Sequence, residues 1–188
     1  MIVEDEVQRL LDEFREKAEP LGVTVLRVPS DEAAAHAVAD WARSLEADCV
    51  IVASEVTQRM PGIASALASA GLRVQPPASP AETRDSPLGL SIGRLAVAET
   101  GSVLLSEPTL EERSIGMLTL AHGTICPTAA LVASLDEAAP VIRERALAKG
   151  GAFSTLVTGP SRTADIERVL TVGVQGPGKV MTLFVDDL

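Results

Sequence analysis

Apolar residues recur at helical spacing from the start of the chain. Val3, Val7, Leu10, Leu11, Phe14 and Ala18 share one face, with Asp12, Glu13, Arg15 and Glu16 on the others. This pattern predicts an amphipathic helix ending near Pro20 and Gly22. Strand and helix periods then alternate. Val23–Val28 reads as a strand, and Ser30 caps a helix whose inward face is Ala34, Val38, Trp41 and Leu45. Residues 49–53 form a short, continuously apolar strand, followed by a helix to about Ala70 and a strand over 72–74. Apolar strands separated by helices imply a parallel sheet covered on both faces.

The second half has a different rhythm. Residues 76–87 hold four prolines and several polar residues, the composition of a linker or lid loop. Segments 95–99 and 102–105 flank Thr100 and Gly101 as a strand–turn–strand. Strands are expected over 117–120 and around 129–133, and a helix over about 136–149 that stops at Gly150 and Gly151. A strand over Ser154–Val157, a helix opening at Ser161 and a last strand over 180–185 complete the pattern. The expected fold is α/β: one domain (21–188) with a mixed sheet flanked by helices, preceded by the helix of 1–20.

Composition narrows the function classes. Hydrophobic residues make up 46% of the chain but aromatics only 2%, so the core rests on small aliphatics and disorder is excluded. No apolar run is long enough to cross a bilayer, and the acidic start lacks the basic residues of a secretory signal. A soluble, cytoplasmic protein is expected. The net charge of −10 argues against nucleic acid or an anionic membrane surface as partner. Cys49 and Cys126 lie far apart and match no zinc pattern, and two thiols are too few for an iron–sulfur cluster, which takes about four.

The densest motif is Gly159-Pro160-Ser161-Arg162-Thr163-Ala164-Asp165-Ile166-Glu167, followed by Gly173-Val174-Gln175-Gly176-Pro177. Ser161 or Thr163 can cap the helix expected there, and Asp165 and Glu167 suit the positive end of its dipole. A strand, a Gly-Pro turn and a capped helix start offer an anion a place to bind, with Arg162 as a fork-shaped donor and Arg94 and Arg113 as further cations. These two runs, with Ala98-Glu99-Thr100-Gly101-Ser102-Val103 upstream, resemble the lactate-utilization protein C family, also called the LUD domain. One residue departs from its pattern: family members usually carry His where this chain has Gln175.

The resemblance implies the fold shared by ribose-phosphate isomerases, glucosamine-phosphate deaminases and CoA transferases. It also implies a non-redox subunit of a system that oxidises L-lactate to pyruvate, with iron–sulfur clusters carried by partner proteins. The ligand site would be built from Thr100, Gly101, Gly159, Pro160, Ser161, Arg162, Thr163, Asp165, Gln175 and Gly176. His122, one of two histidines, could act as acid or base near neutral pH. Glu99 has two readings. By analogy with CoA transferases it is a carboxylate nucleophile of a stand-alone acyl-transfer or sugar-phosphate enzyme. Alternatively it only orders the turn amides. A third reading is an assembly protein without a ligand site. No P-loop, dinucleotide fingerprint or Gly-x-Ser-x-Gly elbow is present.

Overall fold

The computed structural model describes residues 4–147, 153–163 and 171–188. Helix α1 (Glu4–Ala18) carries Glu4, Asp5 and Glu6 in its first turn and Arg15 and Lys17 in its last, complementing the helix dipole at both ends. It buries Leu10, Leu11, Phe14 and Ala18, as its spacing predicts. Strand β1 (Val23–Val28) follows, then α2 (Asp31–Ser44), capped by the Ser30 side chain, which accepts from the Ala33 N–H. Beyond the fully buried β2 (Cys49–Val52), the single expected helix is two short ones, α3 (Ser54–Arg59) and α4 (Ile63–Ser69). Pro61 and Gly62 separate them, because proline supplies no N–H and glycine resists helical order. Strand β3 (Arg73–Gln75) ends the first half.

Within the proline-rich stretch, Ser79 caps a single turn, α5 (Pro80–Thr83). Strand β4 (Leu88–Ile92) leads to the antiparallel pair β5 (Leu95–Val97) and β6 (Ser102–Ser106). The strand expected over 117–120 is instead the end of helix α6 (Leu110–Leu118), with the strand proper, β7 (Ala121–Pro127), starting just after it. Thr109 caps α6, and the Thr119 hydroxyl closes it by donating to the Ile115 carbonyl at 2.7 Å. Strand β8 (Leu131–Val132), helix α7 (Leu135–Leu147) and strand β9 (Ser154–Val157) come next. The helix expected from Ser161 does not start at that residue, and residues 164–170, over which it would run, lie outside the described residues. Arg162–Thr163 forms a strand, β10, paired antiparallel with β11 (Thr171–Val172). Strand β12 (Lys179–Val185) ends the fold.

Two sheets organise these elements. The central sheet has six parallel strands in the order β1-β12-β7-β4-β2-β3. A second sheet, β8-β5-β6-β9, mixes parallel and antiparallel pairs. One face of the central sheet packs under α2, α3 and α4 through Val38, Val50, Leu67, Leu90 and Ile125. Its other face meets α1 and the second sheet through Phe14, Val103, Cys126 and Phe184, with Phe14 and Phe184 edge to face at 5.2 Å. Helix α7 covers the far side of the second sheet through Ala138, Val141 and Ile142.

The strand order creates a crevice. The chain passes from β2 outward to β3, then returns across β2 to β4, so its crossovers leave in opposite directions on either side of the β2–β4 pair. In open parallel sheets, ligands bind outside the carboxyl ends of the strands at such a reversal.

Candidate functional site

A parallel sheet covered on both faces is ordinarily apolar throughout. Here the face turned towards α6 and the second sheet carries Ser91, His122, Thr124 and Thr182, each no more than 3% exposed. Ser91 Oγ donates to Glu107 Oε1 at 3.0 Å, and His122 Nε2 lies 3.1 Å from Ser91 Oγ. Burial pushes the imidazole of His122 down to about 4, so it is neutral at physiological pH. Burial pushes Glu107 the other way, up to about 7, with Glu112 adding to the rise while the Ser91 bond and the Arg113 and Arg94 charges oppose it. When Ser91 gives its proton to Glu107, its oxygen accepts from His122 Nε2, and Nδ1 is then the acceptor of the ring.

This chain of three side chains runs between two cavities. The first, about 210 Å³, lies beneath α6 at the amino-terminal ends of β7 and β12. It brings together His122, Gly159, Ser161, Gln175 and Gly176, five of the residues expected from sequence. The two glycine–proline runs are zipped together around Ser161: its N–H donates to the Pro177 carbonyl, its carbonyl accepts from Gly173, and its hydroxyl donates to the Gln175 carbonyl at 2.7 Å. Gly176 has φ +124°, and a side chain there would press within 3.2 Å of Ser161.

The second cavity, about 150 Å³, occupies the crevice at the carboxyl ends of β2 and β4. Ser54, Glu55, Ser91, Arg94, Glu107 and Glu112 line it. Arg94 grips both carboxylate oxygens of Glu55 through its two terminal nitrogens, and Arg59 Nε reaches the same carboxylate at 3.0 Å. Arg94 Nε is buried and has no partner among the described residues. Desolvation pulls the Arg94 guanidinium below its ordinary value, against the pull of Glu55. Glu112 accepts the Ser54 N–H at 3.0 Å.

The remaining expected residues lie elsewhere or serve the frame. Glu99 Oε1 accepts the Leu135 N–H at 2.6 Å, satisfying the first turn of α7, and lines neither cavity. Thr100 lies in the turn of Ala98–Thr100, and Gly101, φ +63°, sits against Lys17 and Ala18 of α1. Pro160 is buried, and Arg162 Nη2 donates to the Leu21 carbonyl at 2.7 Å. Thr163 pairs with Thr171, Arg113 donates to the Glu107 and Pro108 carbonyls, and Asp165 falls outside the described residues. Sequence reasoning missed Ser91, Glu107, Glu112 and Glu55. The available signal was the alternation of Leu88, Leu90 and Ile92 with Gly89 and Ser91, the period of a strand with a polar residue turned inward.

The model of the LUD domain matches residues 11–185, nearly the whole chain. The chain belongs to the LUD domain family. Proteins named lactate utilization protein C are similar to this LUD domain at 33% identity in Bacillus licheniformis, 36% in Geobacillus kaustophilus and 33% in Bacillus subtilis, each over 103 residues. The aligned segment makes up 53% of this chain but only 42% of each relative, so the match covers less than half of their length. A DUF162 family protein of known structure from Deinococcus radiodurans superposes with a TM-score of 0.71 at 20% identity. It covers 95% of this chain and 98% of that one, a likeness of fold.

An iron–sulfur cluster does not fit the thiols of this LUD domain. Cys49 and Cys126 are buried on separate strands, and burial raises both thiols, Cys126 to about 12, away from the thiolate that ligates iron. Among the described residues no helix is long and apolar enough to cross a membrane.

Proposed function

We propose that this LUD domain serves a lactate-utilization system as a subunit without clusters of its own, binding a small hydroxy acid anion in the cavity beneath α6. Iron–sulfur partner proteins would carry the electrons of lactate oxidation. The similarity to proteins named lactate utilization protein C supports the pathway, and the thiol chemistry of Cys49 and Cys126 supports placing the clusters on partners.

The observation that carries the ligand reading is His122, a buried and neutral imidazole lining this cavity. With Nε2 committed to Ser91, a ligand in this cavity is held best if it offers a hydroxyl proton to Nδ1. A 2-hydroxy acid has that hydroxyl beside its carboxylate. The acyl-transfer reading loses support from the placement of Glu99, whose carboxylate is engaged by the α7 backbone rather than by a cavity.

Deletion of the gene in its native host, with L-lactate as sole carbon source, tests the proposal. Growth is expected to fail and to be restored by the wild-type gene and by Glu99→Gln, but not by His122→Leu produced at the same level. Normal growth of the deletion strain, or full rescue by His122→Leu, would contradict it.

A further inference from the structure

The crevice between β2 and β4 has no part in the reading above, yet it is the more strongly built of the two cavities. It is enclosed by side chains from four elements: Glu55 of α3, Ser91 of β4, Arg94 ahead of β5, and Glu112 of α6, with Glu107 just past β6. Its charges are nearly all spoken for. The Glu55 carboxylate is shared by Arg94 and Arg59, and the Glu112 carboxylate accepts the Ser54 N–H. Arg113 projects from α6 to the Glu107 and Pro108 carbonyls. Several polar groups remain in play, among them the buried Arg94 Nε and the second oxygen of Glu107, whose first oxygen takes the Ser91 proton.

With Glu107 protonated, Arg59, Arg94, Arg113 and Arg145 outnumber Glu55 and Glu112 by two charges, and Arg94 Nε and the Glu107 carboxyl are both donors. With Glu107 ionised that excess is halved, and a further carboxylate lines the cavity against any anion that enters. The cavity volume of about 150 Å³ has room for a molecule of a few heavy atoms. We propose that this crevice is a second, proton-coupled site for a small carboxylate, in which Arg94 Nε and the protonated Glu107 carboxyl donate to the two ligand oxygens. No bond is made or broken. The ligand arrives as an anion and Glu107 takes a proton from solvent, so binding and proton uptake occur together. The raised affinity of Glu107 for its proton puts this coupling near neutral pH.

Acetate is the probe, because it has no hydroxyl for His122. Titrated into the whole chain from about pH 5 to about pH 9 and followed by amide shifts, it should move the Ser54 and Glu107 signals. Its Kd should be flat below about pH 7 and weaken by up to about tenfold per pH unit above it. Calorimetry in two buffers of different ionisation enthalpy should register uptake of a proton near neutral pH. Glu107→Gln, whose amide still donates, should keep acetate bound with a Kd independent of pH. Arg94→Lys keeps a cation beside Glu55 but loses Nε, and should weaken binding tenfold or more while the unfolding midpoint shows the chain still folded. A wild-type Kd independent of pH, unchanged binding in Arg94→Lys, or acetate shifts centred on Gly176 would overturn the proposal. A failed lactate-growth test would leave these binding results untouched, so the two readings fall separately.

Discussion

Ser91, at 1% exposure, stands between an imidazole and a carboxyl whose environments push them in opposite directions. That opposition has a consequence for stability. Glu107 folds with its pKa raised from 4.5 to about 7, so its contribution is full below about 4.5 and is lost as pH rises through about 7. His122 folds with its pKa lowered from 6.5 to about 4, so its contribution is full above about 6.5 and is lost as pH falls through about 4. Between about pH 4.5 and about pH 6.5 the two slopes oppose each other, and the wild type should show little net dependence from this pair. Glu107→Gln removes one slope. Its stability in urea, relative to wild type, should rise across that window by an amount on the order of 2–3 kcal/mol. A difference curve without slope would show that Glu107 titrates as an ordinary surface carboxylate.

Helix α6 positions this chain, and it does so through a glycine. A side chain at Gly89 would lie 2.5 Å from Ile115 and 2.9 Å from Thr119, so the helix rests directly on the β4 backbone. Gly89→Ala should lift α6 and cost about 1–3 kcal/mol of stability, measured by chemical denaturation, with exposure of the cavity at His122 to solvent. An unchanged midpoint would mean that the helix tolerates a methyl group there. This contact also explains why α6 was hard to read. Met117 and Leu118 form an apolar pair that fits the start of a strand or the end of a helix, and only packing on Gly89 decides between them. The elements with strong local signals were legible: Ser30 does cap α2, and the apolar 49–52 run is a buried strand. The helix expected at Ser161 had a good capping sequence, but Thr171 and Val172 bring a pairing partner to Arg162 and Thr163 that spacing alone cannot reveal.

At the scale of the whole molecule, the six-stranded order explains why the site was only half visible. The two glycine–proline runs are marked in the sequence and meet through the hydrogen bonds of Ser161, and His122 joins them because β7 and β12 are neighbours. The crevice residues Glu55, Ser91 and Glu107 come from α3, from β4 and from just past β6, segments with no shared motif, and only the return of the chain across β2 brings them together. The long reach from Arg27 to Glu4 and Asp186, at 2.6 and 2.8 Å, likewise ties α1 to the carboxyl end of the chain. His122 is where the legible and the hidden halves touch, one ring shared between the cavity beneath α6 and the Ser91–Glu107 chain.

The chain has only two histidines, His36 exposed on α2 and His122 buried, so the imidazole nitrogens can be followed directly by nitrogen NMR. His122 should be the Nε2–H tautomer, and its Nδ1 resonance should move when L-lactate is added but not when propionate, which lacks the hydroxyl, takes its place. His36 should not respond. A His122 signal unmoved at saturating L-lactate, or a ring protonated on Nδ1, would contradict the claim that this LUD domain holds a hydroxy acid beneath α6.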